Sequence, residues 1–425
     1  MKKNFTIFGL LFVMVIMGSP LFAQFTLSGE LRPRAEYRHG FKELPKVGAD
    51  PAAFVSQRTR IHVDFLSEKY RIGFSLQDVR VWGDLPQLAV ADGKFTIHQA
   101  WGEYFFTPDF SIKAGRQEII YDDSRMFGNV DWAQQGRSHD AAILKYKSSG
   151  IKIDLGLAYN QQAEQLFDNV YNIKGNYKAL QYVWLHKDFS NFGVSILAMN
   201  NGMQHTKTSD TTFHTVYSQT FGTRFTYQKG NLNLASAFYY QMGKNAGNRD
   251  MEAMYAAFSA DYKVSDFIGL NLGYEMLSGT SQKDALVTGY TDKSFTPLYG
   301  TNHKFNGHMD YFYVGNHGSS VGLQDVYGGI KFGKGIYTSY LTAHYFLAAS
   351  DVLDKSDLTK TMDASLGLEL DYSFGIKLSD KVSAQMGYSH MFATETLVTL
   401  RGGNKDETAN WVWAMLVFKP EFFKL

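Results

Sequence analysis

The sequence predicts an all-β chain that closes into a transmembrane antiparallel β-barrel of eighteen strands. Three observations lead there. Segments alternating apolar and polar residues follow one another from Gln24 onward. The connectors between them alternate between short and long, and residues 1–23 read as an export signal.

The N-terminal segment opens on Lys2 and Lys3 and continues with an apolar run from Phe5 to Met17. Leu21-Phe22-Ala23 offers a small residue for cleavage before Gln24. The run falls short of the roughly 20 apolar residues a spanning helix needs. Residues 24–425 are then expected to form one barrel, with no room for a second domain.

Eight connectors are tight polar turns: Ser67-Glu68-Lys69, Thr107-Pro108-Asp109, Ser148-Ser149-Gly150, Lys187 to Asn191, Gln228 to Asn231, Lys263 to Asp266, Gly333-Lys334-Gly335 and Leu378 to Lys381. The other nine are longer, from eight residues at Gly243–Asp250 to over forty at Gly279–Val321. Short periplasmic turns at one rim and long extracellular loops at the other are what an outer-membrane barrel has.

Individual strands support this. Ile151, Ile153, Leu155, Leu157 and Tyr159 share one face, against Lys152, Asp154 and Asn160. Ile268, Leu270, Leu272, Tyr274 and Met276 oppose Asn271 and Glu275, and Leu366, Leu368, Leu370, Tyr372 and Phe374 oppose Glu369 and Asp371. A soluble sandwich would bury the apolar face; a barrel turns it to lipid, and the connector pattern favours the barrel. Lys94–Phe106 and Arg137–Lys147 mix their faces, and Tyr70–Trp82 needs a bulge near Gln77-Asp78 to stay coherent. Trp411, Val412, Trp413 and Phe418 suit a closing strand, with Lys419–Leu425 as a tail beyond it.

With no cysteine, disulfides and thiolate metal sites are excluded. A net charge of +1 gives no bulk-charge sign of nucleic-acid or polyanion binding. Aromatic residues at 15% fit a barrel with interfacial girdles.

The chemistry concentrates on the polar faces. Glu30, Arg32, Arg34, Glu36 and Arg38 share one face of the first strand; Arg58, Arg60, His62 and Asp64 share one face of the second. Asp78 and Arg80 follow on the third. These arginines either pair with the carboxylates and knit the wall or meet the anionic groups of a passing solute. The longest informative string lies in the third long loop, about 118–137: Gly115-Arg116-Gln117-Glu118, Tyr121-Asp122-Asp123-Ser124-Arg125, Gly128, Asp131-Trp132 and Gln135-Gly136-Arg137-Ser138-His139-Asp140. Folded inward, it would narrow the lumen and filter solutes.

That string resembles the alginate export family of outer-membrane channels. The resemblance recurs at Gln77 to Gly83, at Leu298 to Phe305 and at Met309-Asp310-Tyr311-Phe312. It implies a monomeric eighteen-stranded barrel with an electropositive conduit for an anionic polysaccharide. Arg32, Arg34, Arg58, Arg60, Arg80, Arg116, Arg125 and Arg137 are the candidates for that lining, moderated by Glu30, Asp64, Asp78, Asp131 and Asp140. The near-neutral charge and the short turn at Leu378 to Lys381 depart from the family's alginate exporter. They point to a more general porin for anionic oligo- or polysaccharides or small anions. No cofactor is expected.

Other readings compete. His303, His308, Asp310 and His317 in the large loop form a candidate metal cluster. An enzymatic barrel would need converging side chains, but Ser138-His139-Asp140 are sequence neighbours whose side chains diverge along a strand. A purely structural or adhesive barrel would show no conductance.

Overall fold

The computed structural model describes residues 23–88, 93–171, 173–206, 213–313 and 320–425. Most of the expected leader, residues 1–22, and His317 lie outside them. In chain order the strands are β1 (Gln24–His39), β2 (Ala52–Leu66), β3 (Tyr70–Val81), β4 (Phe95–Thr107), β5 (Phe110–Gln117), β6 (His139–Ser148), β7 (Ile151–Tyr159), β8 (Ala179–Phe189), β9 (Phe192–Thr206) and β10 (Phe213–Lys229). There follow β11 (Leu232–Lys244), β12 (Asp250–Lys263), β13 (Ile268–Leu277), β14 (Leu323–Lys334), β15 (Tyr337–Leu347), a small hairpin β16 (Leu353–Asp354) and β17 (Asp357–Thr361), then β18 (Ser365–Lys377), β19 (Val382–Ala393), β20 (Ala409–Phe418) and β21 (Glu421–Lys424). Two short α-helices sit in long connectors, Gln282–Ala285 and Glu395–Arg401.

Each wall strand pairs antiparallel with its neighbour in sequence, and β1 pairs with both β2 and β20, so the sheet closes. Setting aside the β16–β17 hairpin and counting β20 with β21 as one interrupted strand, the barrel has eighteen. Closure removes the exposed edge, and with it the unpaired backbone groups that lipid could not satisfy. All eight expected turns join the strand pairs they were assigned to. The Gly243–Asp250 connector is shorter than expected, because Gly243 and Lys244 already pair with Met251 and Asp250.

The outward face is apolar. Leu155, Leu157, Leu270, Leu272 and Phe258 project there among many exposed aromatic and aliphatic side chains. Glu275, Glu369, Arg58 and Trp411 on the inward face are buried. This inverted distribution is what a lipid-facing wall requires. Leu366 is an exception to the expected lipid face. A bulge opposite Phe346 and Leu347 leaves it 1% exposed.

Several inward glycines lie opposite an aromatic residue whose ring covers them: Gly73 by Trp101, Gly156 by Tyr182, Gly222 by Tyr239, Gly273 by Tyr327 and Gly387 by Trp413. A Cβ at Gly222 would stand 2.0 Å from Tyr239 Cδ1. The rings lie across the wall, over the space a side chain would fill.

The tail is part of the barrel. After Pro420, which has no N–H to give a ladder, β21 resumes pairing with β1, Leu27 opposite Phe423, and Leu425 N–H donates to Phe25 O at 3.0 Å. The mixed faces of Lys94–Phe106 also have a cause. The β3–β4 ladder shifts between Ser75 and Leu76, making His98 an extra residue on β4, so that His98, Gln99 and Trp101 do not alternate simply. The β2–β3 ladder runs unshifted through Gln57 opposite Arg80, so the expected bulge at Gln77-Asp78 is absent.

Candidate functional site in the barrel interior

The third long connector, between β5 and β6, is bound to the inner wall on several sides. Its Asp131–Gln135 stretch lies against β1 to β3. Arg32 Nη2 donates to Asp131 O at 2.8 Å, Arg34 Nη1 to Trp132 O at 2.7 Å and Arg60 Nη2 to Gln135 O at 3.1 Å. Gln77 Nε2 also reaches Gln135 O at 3.1 Å. Arg58, fully buried, holds Glu30 Oε1 at 2.6 Å and Asp131 Oδ1 at 2.8 Å with Nη2. Gln134 accepts from Arg32 Nε at 3.1 Å and donates to Ser56 Oγ at 3.0 Å. A loop here must satisfy its carbonyls without bulk water, and guanidinium forks supply several donors each. Arg58 and Arg32 hold the Asp131 carboxyl below its ordinary range, although burial pushes it the other way.

The same connector touches the far wall. Tyr121 Oη donates to Asp154 Oδ2 at 2.7 Å, Asp122 Oδ2 accepts from Trp184 Nε1 at 3.1 Å, and Asp123 Oδ2 pairs with Arg224 at 3.0 Å. Arg125 is fully buried: Nε lies 2.8 Å from Glu275 Oε1, and its terminal nitrogens donate to Asn302 Oδ1 and Asn306 Oδ1 at 3.1 and 3.0 Å. It ties the connector to the 278–322 loop and to β13, a strut rather than a free cation. Arg137 is likewise interior and donates to Gly300 O at 2.9 Å.

The 278–322 loop meets an opposite kind of wall on β13 to β18. Met309 N–H donates to Glu369 Oε1 at 2.7 Å, His308 N–H to Asp371 Oδ2 at 3.1 Å, and Asn306 Nδ2 to Glu275 Oε2 at 2.5 Å. His344 Nδ1 contacts both Asp325 oxygens at 3.0 Å. His303 pairs with Asp310 at 2.7 Å. Among the described residues no group of three or more such side chains is arranged to hold a metal ion. His303, His308 and Asp310 are occupied in bracing the loop.

Four of the expected lining residues face outward. Arg116 and Asp140 stand opposite each other on β5 and β6, on the face that carries Ile112 and Leu144, and pair at 2.8 Å. Asp78 and Arg80 stand opposite Thr59 and Gln57, on the face of Phe74 and Leu76, and pair at 2.5 Å. Period-two parity turns all four away from the lumen along the strands, although Arg80, near the long-loop rim, still borders the cavity that Arg34 and Arg38 line. Asp64 faces inward and pairs with Arg71, a lumen cation the sequence reading passed over, at 2.9 Å. Ser138, His139 and Asp140 diverge: Ser138 Oγ bonds His98, His139 Nδ1 meets Tyr177 Oη at 3.0 Å, and Asp140 points outward.

The sequence alone gives Trp132 of this connector no role. Its ring stacks on His303 with centroids 4.6 Å apart, and the Arg34 guanidinium lies 4.2 Å from its centre. Trp413 closes a third side at 4.9 Å. A cavity of about 420 Å³ with Glu30, Arg32, Lys381 and Lys419 in its lining lies on the short-turn side of this ring. Another of about 400 Å³ with Arg34, Arg38, Lys42, Phe54 and Tyr313 lies on the long-loop side. Trp132 lines both, so it partitions them.

No protein-family model and no curated protein matches the chain. Solved structures do. Acinetobacter baumannii OccAB4 is 11% identical, with a TM-score of 0.61 over 95% of this chain and 99% of that one. The fold is that of outer-membrane porins. Pseudomonas aeruginosa OpdL, 10% identical, aligns with the same TM-score of 0.61 over 94% and 99% of the two chains. OpdK from the same organism, solved with vanillate, aligns at 0.57 and 8% identity over 93% and 99%. These similar structures are Occ and Opd channels, so the likeness carries the outer-membrane barrel and leaves the alginate-export resemblance to the loop motifs alone.

Proposed function

We propose that the barrel is a passive, monomeric outer-membrane channel for anionic solutes, either oligo- or polysaccharides bearing carboxylates or small anions. One observation carries the reading: cations line the interior on both sides of the Trp132 partition. Arg34, Arg38 and Lys42 stand on one side; Arg32, Lys381 and Lys419 stand on the other. An anion leaving one cavity therefore meets positive charge in the next, where confined water screens less than bulk. Glu36, Asp84 and Asp310 in one lining and Glu30, Asp131 and Asp380 in the other limit this to a preference. The vanillate in OpdK is a small carboxylate, which keeps small anions within the reading. The loop motifs shared with alginate exporters support the saccharide end of it. No step of chemistry is required of the protein, and transport is diffusion.

The test is the zero-current potential of the whole protein in a planar bilayer under a salt gradient. The parent should prefer anions at low salt, and Lys42→Gln with Lys419→Gln should shift the potential toward cations. The shift should shrink as salt rises. A parent without anion preference would end the reading.

A further inference from the structure

The cations proposed to draw an anion lie on β1 and the loop that follows it, with Lys381 and Lys419 on the adjoining short-turn rim. Across the lumen, near the short-turn rim, lies a second lining of different character. Backbone pairing sets two rows of inward residues side by side. The upper row runs Asn233, Asp261, Asn271, Gly329, Thr342; the lower runs Lys263, Gly269, Lys331, Tyr340. Gly269 and Gly329 remove side chains from the middle of this patch. A cavity of about 480 Å³ opens over it, within the ~300–1,000 Å³ typical of small-molecule sites.

Three features of the patch stand out. Tyr340 projects inward yet remains 43% exposed. Inward aromatic rings elsewhere, such as Tyr182, Tyr239 and Trp413, are buried against glycines or loops. Asp261 is exposed and lines the cavity, and its Oδ1 accepts from Asn271 Nδ2 at 2.9 Å. Asp261 also lines the two adjoining cavities, so the three open onto one carboxylate. The Lys331 ammonium lies 5.2 Å from the Tyr340 ring centre and has no carboxylate partner among the described residues.

A flat ring, a carboxylate–amide pair and one free ammonium match one solute chemistry. A pyranose presents an apolar C–H face to a ring and paired equatorial hydroxyls to a carboxylate or amide. A uronate adds a carboxylate for the ammonium. Small inorganic anions would use only Lys331 and leave Tyr340 and Asp261 without purpose. An aromatic acid would stack but offer Asp261 little to donate.

We propose that this patch is a saccharide-binding subsite at the short-turn mouth of the channel: Tyr340 stacks on a sugar ring, Asp261 and Asn271 bind its hydroxyls, and Lys331 selects an acidic sugar. The subsite deepens the saccharide branch of the channel reading and rests on it. It also gives the two sides of the lumen separate tasks, attraction of charge around β1 and recognition of sugar on β12–β15.

The experiment is calorimetric titration of the detergent-solubilised whole barrel with tetragalacturonate and with maltotetraose. The parent should bind both, the uronate more tightly. Tyr340→Ala should weaken both by roughly tenfold or more, about 1.4 kcal/mol, and Tyr340→Phe should keep both. Lys331→Gln should weaken only the uronate. Each variant's far-ultraviolet circular dichroism and heat-modified gel mobility should match the parent's, which separates lost binding from lost folding. A parent that binds neither sugar overturns the subsite, as does a folded Tyr340→Ala protein that binds both like the parent. The channel reading is judged separately by the parent's zero-current potential. Anion preference without sugar binding ends the subsite alone; sugar binding without anion preference ends the anionic-channel reading alone.

Discussion

Two walls of the lumen hold two loops, and they do so with opposite charges. On β1 to β3 guanidiniums donate to the carbonyls of Asp131, Trp132 and Gln135. On β13 to β18 carboxylates accept from the N–H groups of His308 and Met309 and from the Asn306 amide. The sign of each wall complements the backbone atoms turned toward it. A loop folded into a barrel carries unpaired donors and acceptors on both flanks, so buried charge in the lumen serves the loop before any solute. The charges left for a solute are the half-exposed ones, such as Lys42, Lys331 and Lys419.

The largest expected effect breaks the first wall. Arg58→Met removes the nearer of the two cations, Arg58 and Arg32, that hold Glu30 and Asp131, and losing one partner of the buried Arg58–Glu30 pair costs ~3–5 kcal/mol. The temperature at which the folded band is lost on a gel should fall, and single-channel conductance should rise as the 131–135 stretch comes free. Unchanged conductance would mean that the loop is held elsewhere.

Next in size is a contrast between the two faces of one strand. Leu270→Arg, on the lipid face of β13, should destabilise the inserted barrel by ~2–4 kcal/mol if near the bilayer midplane. Asn271→Arg, one residue on and inward, should be tolerated, as equilibrium unfolding from lipid vesicles would reveal.

The second wall should be less sensitive to a neutral substitution. Asp371→Asn keeps the shape and loses the charge that accepts from His308 N–H and Ser389 Oγ. We expect a loss of ~1–3 kcal/mol and a 302–312 stretch more open to proteolysis. A cost as large as that of Arg58→Met would contradict the view that the loops divide their partners by sign.

Acid should act on the first wall through Asp131. Its carboxyl lies below the ordinary range in the folded protein. The stabilisation is therefore complete above the unfolded value of ~3.9 and is lost as pH falls through the lower folded value. Current noise should rise below about pH 4, and Asp131→Asn should show that noise at neutral pH. The smallest effect belongs to Arg116→Gln. Its pair with Asp140 is exposed on the outer face, so stability should change by under ~0.5 kcal/mol and ion preference should not change at all.

The strands, their count and their turns were legible because each is local. Alternation and a polar turn are written in ten or so consecutive residues. The faces of Asp78, Arg80, Arg116 and Asp140 were not. Parity on β3 and β4 depends on where the ladder slips, and the slip fell at His98 instead of Gln77. The arginines were legible, and so were the carboxylates Glu30, Glu36 and Asp78 that pair with Arg58, Arg34 and Arg80; their loop partners were not, because Arg32 and Gln134 are 102 residues apart. A guanidinium that meets a solute and one that meets a distant carbonyl look alike in sequence. Trp132 could have been singled out as a large apolar ring among charges in a long loop. Tyr340 could have been found as an aromatic at an inward parity position between Ser339 and Leu341.

The rings laid over glycines have a consequence for the bore itself. Trp101, Tyr182, Tyr239, Tyr327 and Trp413 each occupy the footprint of a missing side chain. The wall thus carries bulky inward residues while surrendering little cross-section to them. The width open to a solute is fixed less by the rings than by the hydrogen atoms beneath them. An alanine at Gly273 would push Tyr327, which lines an open cavity, toward the axis and narrow the flow without touching a charge.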